Sequence, residues 1–106
     1  MLLGVIARRL NDGVDYARFR EAWLPDEQFE GDPRRVVSAI NLEDPQELVT
    51  VALVDAEVGD IPGWMDRIAA SEQRRGERIR GLLGSQRLNG TYRVVGDDDF
   101  ARPITR

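Results

Sequence analysis

The first residues, LLGVIARRL from Leu2 to Leu10, place apolar side chains at Leu3, Val5 and Ala7 and again at Leu2 and Ile6. That pattern fits a strand with both faces buried near its start. Asn11-Asp12-Gly13 signals a turn. The period then changes. Tyr16, Phe19 and Trp23 fall on one helical stripe with Ala22 beside them, while Arg18, Arg20 and Glu21 take the other side. Asp15 or Asp12 caps this helix, and Pro25 ends it by pushing Leu24 out of the helical region. Asp26 to Pro33 reads as an acidic loop anchored by Phe29. Arg35 to Leu42 and Glu47 to Asp55 read as strands, joined by a loop of about four residues as a hairpin. Asp60-Ile61-Pro62 starts a second helix, with Asp60 as its N-cap. Its stripe runs through Ile61, Met65, Ile68 and Ala69, lapses over the polar Glu72 to Arg78, and resumes at Ile79, Leu82 and Leu83. It is one long helix, or two with a break near Gly76, and Gly84 caps its end. Thr91 to Val95 forms a last strand, and Asp97-Asp98-Asp99 opens a solvated tail.

The resulting order, β-α-β-β-α-β, predicts an α+β fold of ferredoxin-like type. It forms a four-stranded antiparallel sheet with both helices on one face, and the 106 residues fit a single domain. Two such helices cover only one face of the sheet, yet three of the strands are apolar on both. The second face therefore needs a partner, and another copy of the chain supplies one: two sheets packed about a twofold axis give a homodimeric α/β barrel.

Composition narrows the chemistry. Apolar residues make up 42% and charged residues 32%, a globular balance. The net charge of -4 disfavours nonspecific nucleic-acid binding, and no apolar run approaches a membrane span of about 20 residues. No basic region precedes the apolar stretch of MLLGVIARRL, so the expected location is cytoplasmic. The chain has no Cys, no His and no Lys, and all 15 basic residues are Arg. Thiolate nucleophiles, His-based triads, Cys/His zinc sites and Lys Schiff bases are thereby excluded. Proton transfer is left to Asp, Glu, Tyr, the terminal amine, water or the substrate, and neither a metal nor a cofactor is expected.

The stretches VIARRLNDGVDYARFREAWLP and RRVVSAINLEDPQELVTVALVD resemble the dimeric α/β-barrel superfamily, and are most similar to its antibiotic-biosynthesis-monooxygenase-like branch. The resemblance spans nearly the whole chain in element order. It implies a homodimer with a pocket between sheet and helices in each protomer. In the cofactor-independent monooxygenases of that branch, an Asn, a Trp, a Tyr and an Arg line the pocket. The substrate's own phenolate or enolate supplies the electron to oxygen. Such chemistry needs no His, Cys, Lys or metal. The function expected on this basis is a monooxygenase-like enzyme acting on an aromatic or polyketide-like molecule. The alternative is a non-catalytic dimeric module that binds a small ligand or accompanies a larger enzyme.

The ligand-binding candidates are Asn41, Trp23, Trp64, Tyr92 and Arg9, and no catalytic residue is assigned. Each also has a structural reading. Trp23 closes the helix core or walls a pocket. Asn41 satisfies a strand end or hydrogen-bonds a ligand oxygen. Arg8 and Arg9 point to opposite faces, so one of them can meet a substrate anion while the other forms a rim ion pair. Trp64 falls off the stripe of the second helix, at a contact or a cavity mouth. Tyr92 is core or a phenol aimed at a ligand. Arg74, Arg75, Arg78 and Arg80, interspersed with Glu72 and Glu77, read as a solvated face with local ion pairs.

Overall fold

The computed structural model describes residues 1–103. Six elements follow in chain order: β1 (Leu2–Leu10), α1 (Tyr16–Trp23), β2 (Arg34–Asn41), β3 (Asp44–Val54), α2 (Ile61–Ile79) and β4 (Leu83–Arg93). The strands form one antiparallel sheet in the order β2-β3-β1-β4. This is an α+β domain with a four-stranded antiparallel sheet and two α-helices, consistent with the ferredoxin-like type. No helix among the described residues is long and apolar enough to cross a membrane.

Local chemistry sets the ends of α1. Gly13 turns the chain at φ 79°, a conformation that favours glycine. Asp15 then caps the helix, its Oδ1 accepting the Arg18 N–H at 2.8 Å. Leu24 leaves helical space at ψ 136°, as the residue before Pro25 must. The aromatic stripe is core: Phe19 is fully buried and Trp23 nearly so, stacked 6.0 Å apart. They pack with Leu10, Leu48 and Ile79.

The sheet register sorts the strand residues into two faces. Leu2, Gly4, Ile6 and Arg8 of β1 stand opposite Val54, Ala52, Thr50 and Leu48 of β3, on the side that carries the helices. The other side is a grid of three rows across the four strands. These are Arg35–Leu53–Leu3–Tyr92, Val37–Val51–Val5–Gly90 and Ala39–Val49–Ala7–Leu88. Of the twelve residues only Arg35 is charged, yet nothing within the described chain packs over this face. Val37 is 49% exposed, and Leu88 and Tyr92 44% each.

Four boundaries differ from the sequence reading. The β2–β3 turn is only Leu42-Glu43, because two side chains close it. Asn41 Oδ1 accepts the Glu43 N–H, and Asp44 Oδ1 accepts the Gln46 N–H. The backbone can then run extended past Pro45, with a register shift beside Asn41. Asp60 makes no side-chain cap; it ends a short 3-10 turn, Val58–Asp60, that leads into α2. α2 takes the unbroken form of the two expected, but it ends at Ile79 rather than at Gly84, followed by a second 3-10 turn over Arg80–Leu82. β4 begins at Leu83, eight residues before the expected start, so Gly84 lies in a strand. Its sequence LGSQRLNG carries little apolar alternation because β4 is an edge strand, joined to the sheet by backbone bonds to β1. After β4 the chain is exposed from Val95 to Pro103; the last three residues of the expected tail lie outside the described residues.

Gly76 offers a direct check of the unbroken helix. A Cβ placed on it meets nothing within 4 Å. Gly76→Ala is expected to raise stability by about 1 kcal/mol in urea denaturation, the propensity gain of an exposed helix interior. A loss would mean that the helix needs glycine there.

Candidate functional site

The hydrophobic cluster fills one end of the space between sheet and helices. Elsewhere the floor is made of small side chains. A Cβ on Gly4 would meet only the Ala52 methyl, at 3.6 Å. With nothing large to rise from this floor, a cavity of about 200 Å³ remains. Ile6, Arg8 and Thr50 complete its base, Trp23 of α1 and Arg75 of α2 wall it, and Arg34 and Val36 close the β2 side. An adjoining recess of about 300 Å³ shares Trp23, Arg34, Val36 and Arg75, and runs along α1 past Tyr16 and Arg20.

Guanidinium groups dominate this space. Arg34 is held from two sides. Its Nε and Nη2 donate to Asp32 at 3.0 and 2.9 Å, and its Nη1 donates to Glu72 at 2.8 Å. These bonds, those to Asp32 foremost, outweigh burial and hold the Arg34 pKa above its usual value. Arg75 donates to the other Glu72 oxygen and lies over the Trp23 ring at 5.5 Å. Arg8 has neither kind of support. Its Nη1 is buried with no hydrogen-bond partner among the described residues. Burial, and then the neighbouring charge of Arg75, push its pKa down. Three cations thus face two carboxylates, Asp32 and Glu72, and both carboxylates are already engaged by Arg34 and Arg75.

The five candidates from the sequence are scattered. Trp23 alone lines the cavity, while also belonging to the core. Arg9 is tied at the hairpin end, donating to Asp44 and Gln46 at 2.7 Å each; Arg8 is the arginine of the pair that lines the cavity. Asn41 is the exposed last residue of β2, and its amide bonds Glu43 and Glu47. Tyr92 stands on the uncovered face of the sheet, its phenol folded back over Gly90. Trp64 packs edge-on against Phe29 at 6.1 Å, with Arg34 and Arg67 over its ring at 5.8 and 5.3 Å. It backs the site by supporting Arg34, and its own surface lines a separate shallow cleft.

Arg34 and Arg75 were absent from the candidates, and Arg8 entered only as the alternative to Arg9, although Arg8 and Arg75 left a signal. Arg8 shares the parity of Leu2, Ile6 and Leu10. Arg75 lies between Ser71 and Ile79, four residues from each, on the stripe that α2 buries. Arg74 and Arg78 of the basic cluster form ion pairs across elements. Arg74 clamps Asp26 and Glu27, and Arg78 donates to Asp26 and to the carbonyls of Ala22 and Leu24, which the end of α1 leaves free. Only Glu72–Arg75 is an ion pair within the helix. Among the described residues no group of acidic side chains is placed to hold a metal ion. No known protein-family model matches the chain, and no curated protein does.

Two outcomes check this geometry. Burial raises the Asp32 pKa, but the bonds from Arg34 outweigh it and hold the group below the ordinary 3.8. A carboxylate depressed on folding stabilises above its unfolded pKa and loses that contribution as pH falls through the folded value. Tm should therefore fall less steeply from about pH 5 to about pH 3 in Asp32→Asn than in the unsubstituted protein. Equal slopes would place the clamp outside the folding equilibrium. Asn41→Ala should cost about 0.5 to 1 kcal/mol through the hairpin turn, and leave ligand binding unchanged in calorimetric titration.

Proposed function

We propose that the chain acts as a homodimer of dimeric α/β-barrel type, with the uncovered sheet faces packed together. Each protomer binds a small aromatic molecule in its sheet–helix cavity. Three features support the dimer. The open face is a continuous apolar grid, of the kind that marks an interaction surface. The protomer is a plate of 47 × 38 × 20 Å. Its accessible surface is 7870 Å², against roughly 6,000 Å² for a compact monomer of this mass. Some of the excess belongs to the exposed segment after β4. The remainder is in keeping with the roughly 800 Å² that each partner buries in a standard interface.

The observation that carries the ligand site is the unpartnered Arg8 in a cavity walled by Trp23. A cavity of about 150 Å³ is enough for benzene, so about 200 Å³ takes one substituted ring. In the catalytic reading the reaction is cofactor-independent monooxygenation. The bound phenolate or enolate reduces dioxygen; one oxygen atom replaces two hydrogens on the activated ring carbon as a carbonyl, and the other leaves as water. The guanidinium groups favour the substrate anion, which is the reactive species. The engagement of Asp32 and Glu72 by arginines favours a second reading, a non-catalytic ligand-binding or accessory module. It leaves no uncommitted carboxylate in the cavity to act as a base.

Native mass spectrometry tests the assembly and the cavity together. The expected result is a species of twice 12.0 kDa carrying an extra organic mass, and Val37→Asp with Leu88→Asp should convert it to a folded monomer. A monomeric unsubstituted protein would overturn the barrel. Oxygen uptake with resorcinol, a phenol of one ring, separates the two readings: uptake above the uncatalysed rate identifies the enzyme, and its absence with resorcinol bound identifies the binding module.

A further inference from the structure

Resting on the reading of the cavity as a ligand site, we infer that its ligand is a planar monoanion whose carboxylate, phenolate or enolate oxygen docks on Arg8. The first argument is the cost of the empty arrangement. A buried guanidinium N–H without an acceptor is unfavourable, and a second cation close by makes it worse. Arg8 suffers both, from burial and from Arg75. Arg34 and Arg75 show what the fold does when it neutralises an arginine here: each has a carboxylate within reach. Among the described residues no carboxylate pairs with Arg8, so the position is strained unless an anion arrives.

The second argument is stoichiometric. Arg8, Arg34 and Arg75 carry three positive charges, and Asp32 and Glu72 return two. One negative charge completes the site, and a dianion exceeds it. Arg20, in the adjoining recess, is exposed and adds a screened charge only. The third argument is shape. Gly4 and Ala52 leave a low floor beside Arg8, and Trp23 offers a wall of aromatic surface. A flat ring carrying an oxyanion meets all of these, because a guanidinium fork pairs best with an anion lying in its own plane. Inorganic anions would match the charge and leave the Trp23 side unfilled.

Benzoate and its neutral isostere benzamide are the probes, measured by isothermal titration and by thermal shift on the intact protein. Benzoate is expected to bind and to raise Tm in a concentration-dependent way, whereas benzamide binds at least tenfold more weakly. Arg8→Gln should weaken benzoate at least tenfold and leave benzamide unchanged. Arg8→Met guards against a trivial folding defect: without ligand its Tm should equal or exceed that of the unsubstituted protein, because an unpaired buried charge has been removed. The inference is overturned if the probes bind equally, if neither binds, if Arg8→Gln leaves benzoate binding intact, or if Arg8→Met is the less stable protein. It fails separately from the function proposed above. A dimer that carries a neutral organic molecule and ignores benzoate retains the cavity and loses the anion. Benzoate binding through Arg8 without oxygen uptake retains the anion and loses the oxygenase.

Discussion

Two helices cannot fill all the space over one face of a four-stranded sheet, and they leave the other face bare. α1 has only eight residues, and its buried side chains gather where Leu10 and Leu48 rise to meet Phe19 and Trp23. That cluster is closely packed because large side chains from both layers meet there. Further along β1 and β3 the floor falls to Gly4 and Ala52, and no helix side chain reaches down to compensate. The cavity is what remains when coverage by the helices ends before the sheet does. The open grid of valines, leucines and alanines on the opposite face follows from the same shortage of chain.

Electrostatics then sets the character of the cavity. Glu72 is the hinge of the arrangement, one oxygen bonded to Arg34 from β2 and the other to Arg75 from α2. It therefore ties helix to sheet across the cavity wall. Trp64 backs Arg34 with aromatic surface and packs edge-on against Phe29, so that the acidic loop before β2 is fastened to the start of α2. Arg8 sits inside this network without belonging to it. A fold selected for stability alone would place an apolar residue there.

The same reasoning explains which site residues could be read from sequence. The aromatic stripe of α1 was legible as core because three large side chains at helical spacing have few other uses. The opposite orientation of Arg8 and Arg9 was legible from strand alternation, but the choice between them was not. It depended on Asp44 and Gln46 being delivered to Arg9 by the hairpin, and so on a two-residue turn closed by Asn41 and Asp44. Asn41 and Tyr92 have the residue types a ligand site uses, yet one is spent in that turn and the other faces away from the cavity. β4 was largely invisible, since an edge strand with two exposed faces has no apolar period to betray it.

The sequence by itself determined the order of elements, the stop of α1, the two-faced apolar strands and the exclusion of thiol, imidazole and lysine chemistry, and it narrowed the cap of α1 to Asp12 or Asp15. These depend on residue type and on periods of two or three to four positions, which act over a single turn or strand. Tertiary structure alone decided that Arg8, Arg34 and Arg75 converge from three elements, and that two of them are neutralised while the third is left bare. Arg34–Asp32 and Arg75–Glu72 are local pairs, but the Arg34–Glu72 bond joins residues 38 positions apart, and bringing Arg8 beside them depends on register and crossing geometry. No local pattern carries that information.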